Sequence, residues 1–260
     1  MDIKELQISD TGGDKQNHPW EYARSKVVFS ILKNHIKKDA QGSVLDIGCG
    51  DVFFLTRFAE KHPNFELVAV DTAFLDKKLM SKIAFENSKY NIRFFDDIRN
   101  VTNLQEASIV FLLDVIEHIE DDICFLKELS SEAYITSNTI IVITVPAFYS
   151  LYCNHDKWLG HYRRYSQTLL KQHITTAGLS YIEGGYFFTS LLFPRSIQKI
   201  IDSLKKSKIV NNQGIGNYKG GKVLSFLYEK FLLFDFYFFK IFKFLGIKMP
   251  GLSTYVICKK

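Results

Sequence analysis

Four cysteines in 260 residues, Cys49, Cys124, Cys153 and Cys258, are too few and too scattered to organise a fold. None pairs with another at C-x-x-C spacing, which argues against a zinc site or a disulfide framework and points to a reducing compartment. Charge of one sign is also thin. The net charge is only +5, with lysines spread along the chain rather than gathered in one basic run, so no nucleic-acid partner is indicated. The opening residues are polar and lack a charged-then-apolar leader, which predicts a cytoplasmic chain. No long apolar run is free of charge. The best candidate, Val223 to Leu245, is interrupted by Glu229, Lys230, Asp235, Lys240 and Lys243, which disfavours a membrane-spanning helix.

Apolar and aromatic residues are abundant. The hydrophobic fraction of 47% is ample for the core of one elaborated α/β domain or two small domains, and 23 Phe, 13 Tyr and 2 Trp bring the aromatic share to 15%. The most informative stretch is Val44-Leu45-Asp46-Ile47-Gly48-Cys49-Gly50-Asp51, an apolar run ending in an acid and two glycines just before a helical pattern. It reads as a strand, a tight turn and a helix N-terminus, where backbone N–H groups are offered to a ligand. A second apolar run, Leu67 to Val70, ends at Asp71, the position at which doubly wound nucleoside-binding folds hold ribose hydroxyls. The dinucleotide fingerprint G-x-G-x-x-G needs a third glycine where this chain has Phe53, so a nicotinamide or flavin dinucleotide is disfavoured. Further strand-like runs, Ile92–Phe95, Ser108–Leu113 and Ile140–Val145, alternate with helical patterns, and the latter two are nearly unbroken apolar stretches rather than alternating in polarity. That pattern predicts a mostly parallel sheet with helices on both faces. In such sheets ligands sit beyond the C-terminal strand ends, where Asp46, Asp71, Asp97, Asp114 and Pro146 all fall.

These features resemble the class I S-adenosylmethionine-dependent methyltransferases. The family's first motif is an acid, any residue, then G-x-G-x-G; Asp46, Gly48 and Gly50 match it, and Val52 stands in place of the last glycine. The resemblance implies S-adenosylmethionine as cofactor, bound by Asp46, Gly48, Gly50 and Asp71. It implies that Asp97, with Asp96 as alternate, meets the adenine amino group and that Asp114 lies near the methionine end. It also implies a Rossmann-like sheet of seven strands with the last antiparallel, and a helix before the first strand that roofs the cofactor. Trp20 and Arg24 on that helix are either part of the roof or ordinary packing. His118, after the fourth strand, is either a base or the first turn of a helix.

The segment after the fifth strand, from Ala147 to Ser166, concentrates titratable groups in the pattern H-D-x-x-x-G-H-x-R-R-Y. The pattern resembles a bacterial methyltransferase subgroup associated with cell-surface glycan and lipid-linked sugar pathways. Transfer to oxygen requires removal of a hydroxyl proton, which suits a histidine, so His155, with Asp156 beside it, and His161 are the candidate bases. Arg163, Arg164 and Tyr165 are candidates for holding an anionic acceptor. The same groups could instead form a hydrogen-bonded clasp that orders the loop.

The expected organisation is a flexible arm over 1–17, a catalytic domain over 18–186 plus 252–260, and an aromatic-rich helical insertion over 187–251 between the last two strands. The insertion's wide apolar face requires burial as a lid, in a homodimer, or at a bilayer surface. The resulting expectation is O-methylation of a sugar, lipid-linked or other small acceptor. A methyltransferase of a soluble metabolite and a non-catalytic cofactor-binding protein are the alternatives.

Overall fold

The computed structural model describes residues 18–36, 40–204 and 220–260. The arm over 1–17 and the glycine- and asparagine-rich loop as far as residue 219 lie outside them. A seven-stranded sheet is formed by β1 (Gly42–Ile47), β2 (Phe65–Val70), β3 (Ile92–Phe95), β4 (Ile109–Leu113), β5 (Ile140–Pro146), β6 (Ser180–Phe187) and β7 (Ser253–Lys259), in the order β3-β2-β1-β4-β5-β7-β6. The pairs β1–β2, β1–β4, β2–β3 and β4–β5 are parallel. β7 runs the other way along β5. Ala147 N–H donates to the Leu252 carbonyl at one end, and the Cys258 thiol lies 3.7 Å from the Ile141 carbonyl at the other. The helices are α1 (Pro19–Leu32), α2 (Phe53–Lys61), α3 (Lys77–Glu86), α4 (Asp122–Ser131), α5 (Asn154–Leu159), α6 (Gln167–Thr176), α7 (Leu192–Leu204) and α8 (Lys222–Phe244).

The chain divides into two compact units. One comprises Asn34–Val145, Gln167–Gly184 and Tyr255–Lys260 as far as these are described. Its core is the continuous apolar β4 and the apolar strands beside it, all five β4 residues being buried, as a central parallel strand covered on both faces requires. Helix α2 buries Phe54, Leu55 and Phe58. The Phe54 and Phe58 rings lie 4.7 and 5.6 Å from Phe111 of β4, and Phe58 lies 5.2 Å from Phe65 of β2. Burying each such ring contributes about 2–3 kcal/mol, which anchors the helix that follows the glycine turn. Helices α4 and α6 are joined by a buried ion pair, with His173 Nδ1 2.7 Å from Asp122 Oδ2.

The second unit comprises the described residues up to Lys33 together with Pro146–Ser166 and Gly185–Thr254. Helix α1 starts with Pro19 at its first position, after His18, whose Nδ1 accepts from Trp20 N–H at 3.1 Å. Ala23, Val27, Val28 and Ile31 are buried on one face of α1, and Leu232 and Phe236 are buried on α8, which packs against it. Lys26–Glu229 at 2.5 Å and Lys240–Ser30 at 3.2 Å cross between the same two helices. Asp235, also buried on α8, accepts from the backbone N–H groups of Thr189 and Ser190 at 2.9 and 2.8 Å and so fixes the approach to α7.

Candidate functional site

The residues expected to act fall into two groups, one in each unit. In the sheet-bearing unit, β1 delivers Asp46 and β2 delivers Asp71, both buried. Gly48 N–H donates to the Val70 carbonyl at 2.7 Å, closing the glycine turn against the neighbouring strand. Asp71 then braces the turn from the other side. Its Oδ2 accepts from Gly50 N–H and its Oδ1 from Ala73 N–H, each at 2.9 Å. Gly48 and Gly50 have φ of 70° and 55°. A Cβ on Gly48 would come within 2.6 Å of Val115 Cγ2, so the first glycine is required for space as well as conformation. Val52, at the position of the family's last glycine, keeps the left-handed conformation with φ of 57°. Helix α2 accordingly begins at Phe53, with Val52 as its N-cap.

Asp114 follows β4 directly with φ of 59°, and its Oδ1 accepts from Thr144 Oγ1 at 3.2 Å. Asp97, just past β3, accepts from Arg99 through both oxygens and is held down to about 2, chiefly by that hydrogen bond. Its neighbour Asp96 accepts from the Asn100 amide at 2.8 Å. His118 closes a single 3-10 turn, Ile116–His118, rather than opening the longer helix, which begins at Asp122 under an Asp121 cap. Among the described residues, five non-glycine residues have positive φ, and Val52, Asp114, Phe148 and Phe188 each come within five residues after the C-terminal end of a strand. Backbone strain of this kind concentrates where a chain builds a ligand mouth.

In the second unit Asp156 is the hub. It lies on the short helix α5 with its side chain fully buried. Its Oδ1 accepts from His161 Nδ1 at 3.0 Å and from Arg164 Nε at 2.8 Å. Its Oδ2 accepts from Cys153 N–H at 2.9 Å and from Arg195 at 3.2 Å. Burial alone would raise this carboxyl, but the His161 hydrogen bond and the Arg164 and Arg195 charges override it and hold it well below the usual carboxylate range. Arg164 also donates to the Ala147 carbonyl at 3.1 Å, and Tyr165, fully buried, exchanges backbone hydrogen bonds with Pro146 and Phe148. Of the three residues expected to hold an acceptor, Arg164 and Tyr165 thus lie inside the loop's own framework, while Arg163 is half-buried. His155 stacks on Trp158 with ring centroids 5.8 Å apart, and burial together with the Arg195 charge lowers it to about 4. It is neutral at physiological pH. Arg195, from the 187–251 segment, was not foreseen from the sequence, because it lies 39 residues from Asp156 and no periodicity links the two. Trp20 and Arg24 resolve as a stacked pair, the guanidinium 4.6 Å from the indole centroid.

No family model matches the chain. A curated relative, the tRNA U34 carboxymethyltransferase of Campylobacter jejuni subsp. doylei, is 29% identical over 111 residues, which are 42% of this chain and 37% of that protein. The chain thus matches little more than a third of the length of that relative. Among solved structures, coclaurine N-methyltransferase bound to N-methylheliamine and S-adenosylhomocysteine is 12% identical, with a TM-score of 0.57 over 100% of this chain and 79% of that one. The plantazolicin methyltransferase BpumL, in complex with a triazolic desmethylPZN analogue and S-adenosylhomocysteine, is 14% identical, with a TM-score of 0.58 over 99% and 90%. The cyclase SpnF is 12% identical, with a TM-score of 0.57 over 99% and 92%. Strand order, the glycine turn at Gly48 and these neighbours together give this chain the Rossmann-like fold of the class I S-adenosylmethionine-dependent methyltransferases.

Proposed function

We propose that the protein transfers a methyl group from S-adenosylmethionine to a hydroxyl oxygen of a sugar, lipid-linked or other small acceptor. The observation that carries this reading is the His161–Asp156 pair. A neutral imidazole whose Nδ1–H donates to a buried carboxylate keeps its lone pair on Nε2, and the carboxylate stabilises the imidazolium formed when that nitrogen takes a proton. Asp156 is suited to this because Arg164 and Arg195 keep it ionised. His155, lowered to about 4 and stacked on Trp158, is the weaker base and belongs to the loop's packing.

The chemistry of the donor set fits the cofactor. Buried carboxylates at the strand ends suit an ammonium group and ribose hydroxyls, and the left-handed glycine turn brings backbone close to a ligand. When bound, S-adenosylmethionine supplies an electrophilic methyl on a sulfonium. Asp46, Gly48, Gly50 and Asp71 would hold it, with Asp97 toward its adenine and Asp114 toward its methionine end. Because the sulfonium provides the driving force, these residues act by alignment, and the chain adds proton removal by His161 and orientation of the acceptor by Arg163. The resemblance of the His155–Tyr165 loop to the glycan-associated subgroup supports an oxygen acceptor.

The test is transfer of labelled methyl from S-adenosylmethionine into an extract of the source organism, with Asp71→Ala as control and the products split into organic, aqueous and RNA fractions. Label in the organic or small-molecule aqueous fraction, absent in the control, is expected and distinguishes a lipid-linked from a soluble acceptor. Label confined to ribonuclease-sensitive material overturns the acceptor class, and no label in any fraction overturns the transferase reading.

A further inference from the structure

Helices α7 and α8 are amphipathic in the wrong sense for a solvent-facing surface. Every acid on the two helices is engaged. Glu229 pairs with Lys26, Asp235 is buried on two backbone N–H groups, and Asp202 accepts from Asn154 N–H at 3.3 Å. The opposite stripe of α8, at the i, i+4, i+7 spacing of Val223, Leu227, Phe234, Phe238 and Ile241, is exposed, with Phe234 at 66% and Val223 at 74%. Helix α7 repeats the pattern, with Phe193, Ile197, Ile200 and Leu204 exposed on one stripe. Single exposed apolar residues need no explanation, but two whole stripes do.

The charges left facing out decide what covers the α8 stripe. Lys222 and Lys230 on α8 and Lys248 beyond it are exposed, Lys230 lying within the stripe and stacking on Phe226 at 5.0 Å, while the exposed Lys240 reaches back to Ser30. The stripe is therefore apolar and bordered by cations, with no outward acid on either helix. A second copy of the same face would set lysines against lysines, whereas anionic headgroups above an acyl layer match both components. Spanning is not the mode, since no described helix is long and apolar enough to cross a membrane. At 23 residues α8 is about 34 Å long, enough to lie along a bilayer surface. We propose that the exposed stripe of α8 docks the protein on an anionic bilayer surface, with Phe234 and its neighbours entering the acyl boundary and the lysines meeting the headgroups.

The test is co-sedimentation of the full chain with vesicles of phosphatidylcholine alone and of phosphatidylcholine with phosphatidylglycerol. Binding is expected to be at least roughly tenfold tighter on the anionic vesicles and to weaken with salt. Phe234→Glu, at an exposed position, should abolish it with an unchanged melting temperature, and Lys230→Glu should weaken it roughly tenfold. Failure of the native chain to sediment with anionic vesicles overturns the proposal, as does sedimentation that Phe234→Glu leaves intact. A dimer in sedimentation equilibrium that Phe234→Glu dissociates, without vesicle binding, assigns the face to a second copy and overturns it too. None of these readouts depends on methyl transfer.

Discussion

Asp156 carries two burdens, and substitution separates them. Replacing His161 with Gln removes the proposed base but leaves the carboxylate balanced by Arg164 and Arg195. We expect turnover to fall roughly 100-fold or more with little change in melting temperature, read by kcat and a thermal scan on the same preparation. Asp156→Asn instead leaves buried guanidinium charge uncompensated, and stability should drop by about 3–5 kcal/mol. His155→Phe preserves the stack on Trp158 and should keep turnover; a large loss there would move the base to His155. The pH response follows from the same loop and from His18. His18 and His155 are both lowered from 6.5 to about 4, each chiefly by burial. The unfolded chain therefore binds more protons than the folded one between those values, and stability falls as pH drops from about 6.5 to about 4. Asp156 acts lower. Its depressed carboxyl contributes stability that is full above the unfolded value of 3.8 and is lost as pH falls below it. Melting temperatures across this range should show both declines, with His155→Phe flattening the upper one. The sequence made the His-Asp-Arg chemistry legible but could not say which imidazole the acid holds. That choice is made by the helical turn of Asn154–Leu159 and the left-handed Gly160, which bring residue 161 back onto residue 156.

At the level of elements, the glycine turn and the Asp235 tether are the two sensitive joints. Gly48→Ala forces a side chain into a φ of 70° and against Val115, and should cost about 2–4 kcal/mol. Adding Val115→Ala should recover only the steric part, as a double-mutant comparison of denaturant midpoints would show. Asp235→Ala leaves two backbone donors without their carboxylate and should lower the melting temperature by about 5–10 °C. The strands were readable because buried parallel strands are short apolar runs with sharp polar ends, as at Leu113–Asp114. Helix ends were less so. Helix α4 starts at Asp122, where its first turn is set by the Asp121 cap rather than by apolar spacing, and it stops at Ser131 where Glu132 leaves helical geometry. Helix α3 likewise begins only at Lys77, after a separate 3-10 turn capped by Asp71.

Over the whole molecule, the sheet follows from the alternation of apolar runs and helical patterns, whereas the grouping of α1 and the loop after β5 with the 187–251 segment does not. It depends on contacts such as Lys26–Glu229 and Arg195–Asp156, which join residues 203 and 39 positions apart and have no periodic signature. One further feature sets how that segment is attached. Leu252 N–H donates to the Phe188 carbonyl at 3.1 Å, and a Cβ on Gly251 would come within 2.2 Å of the Phe187 carbonyl oxygen, so the chain leaves and re-enters the sheet at one narrow threshold. Topologically, everything between is a cassette hung on a hairpin. A longer, shorter or different segment could hang there without re-registering a strand, and the sheet and glycine turn would stay as they are.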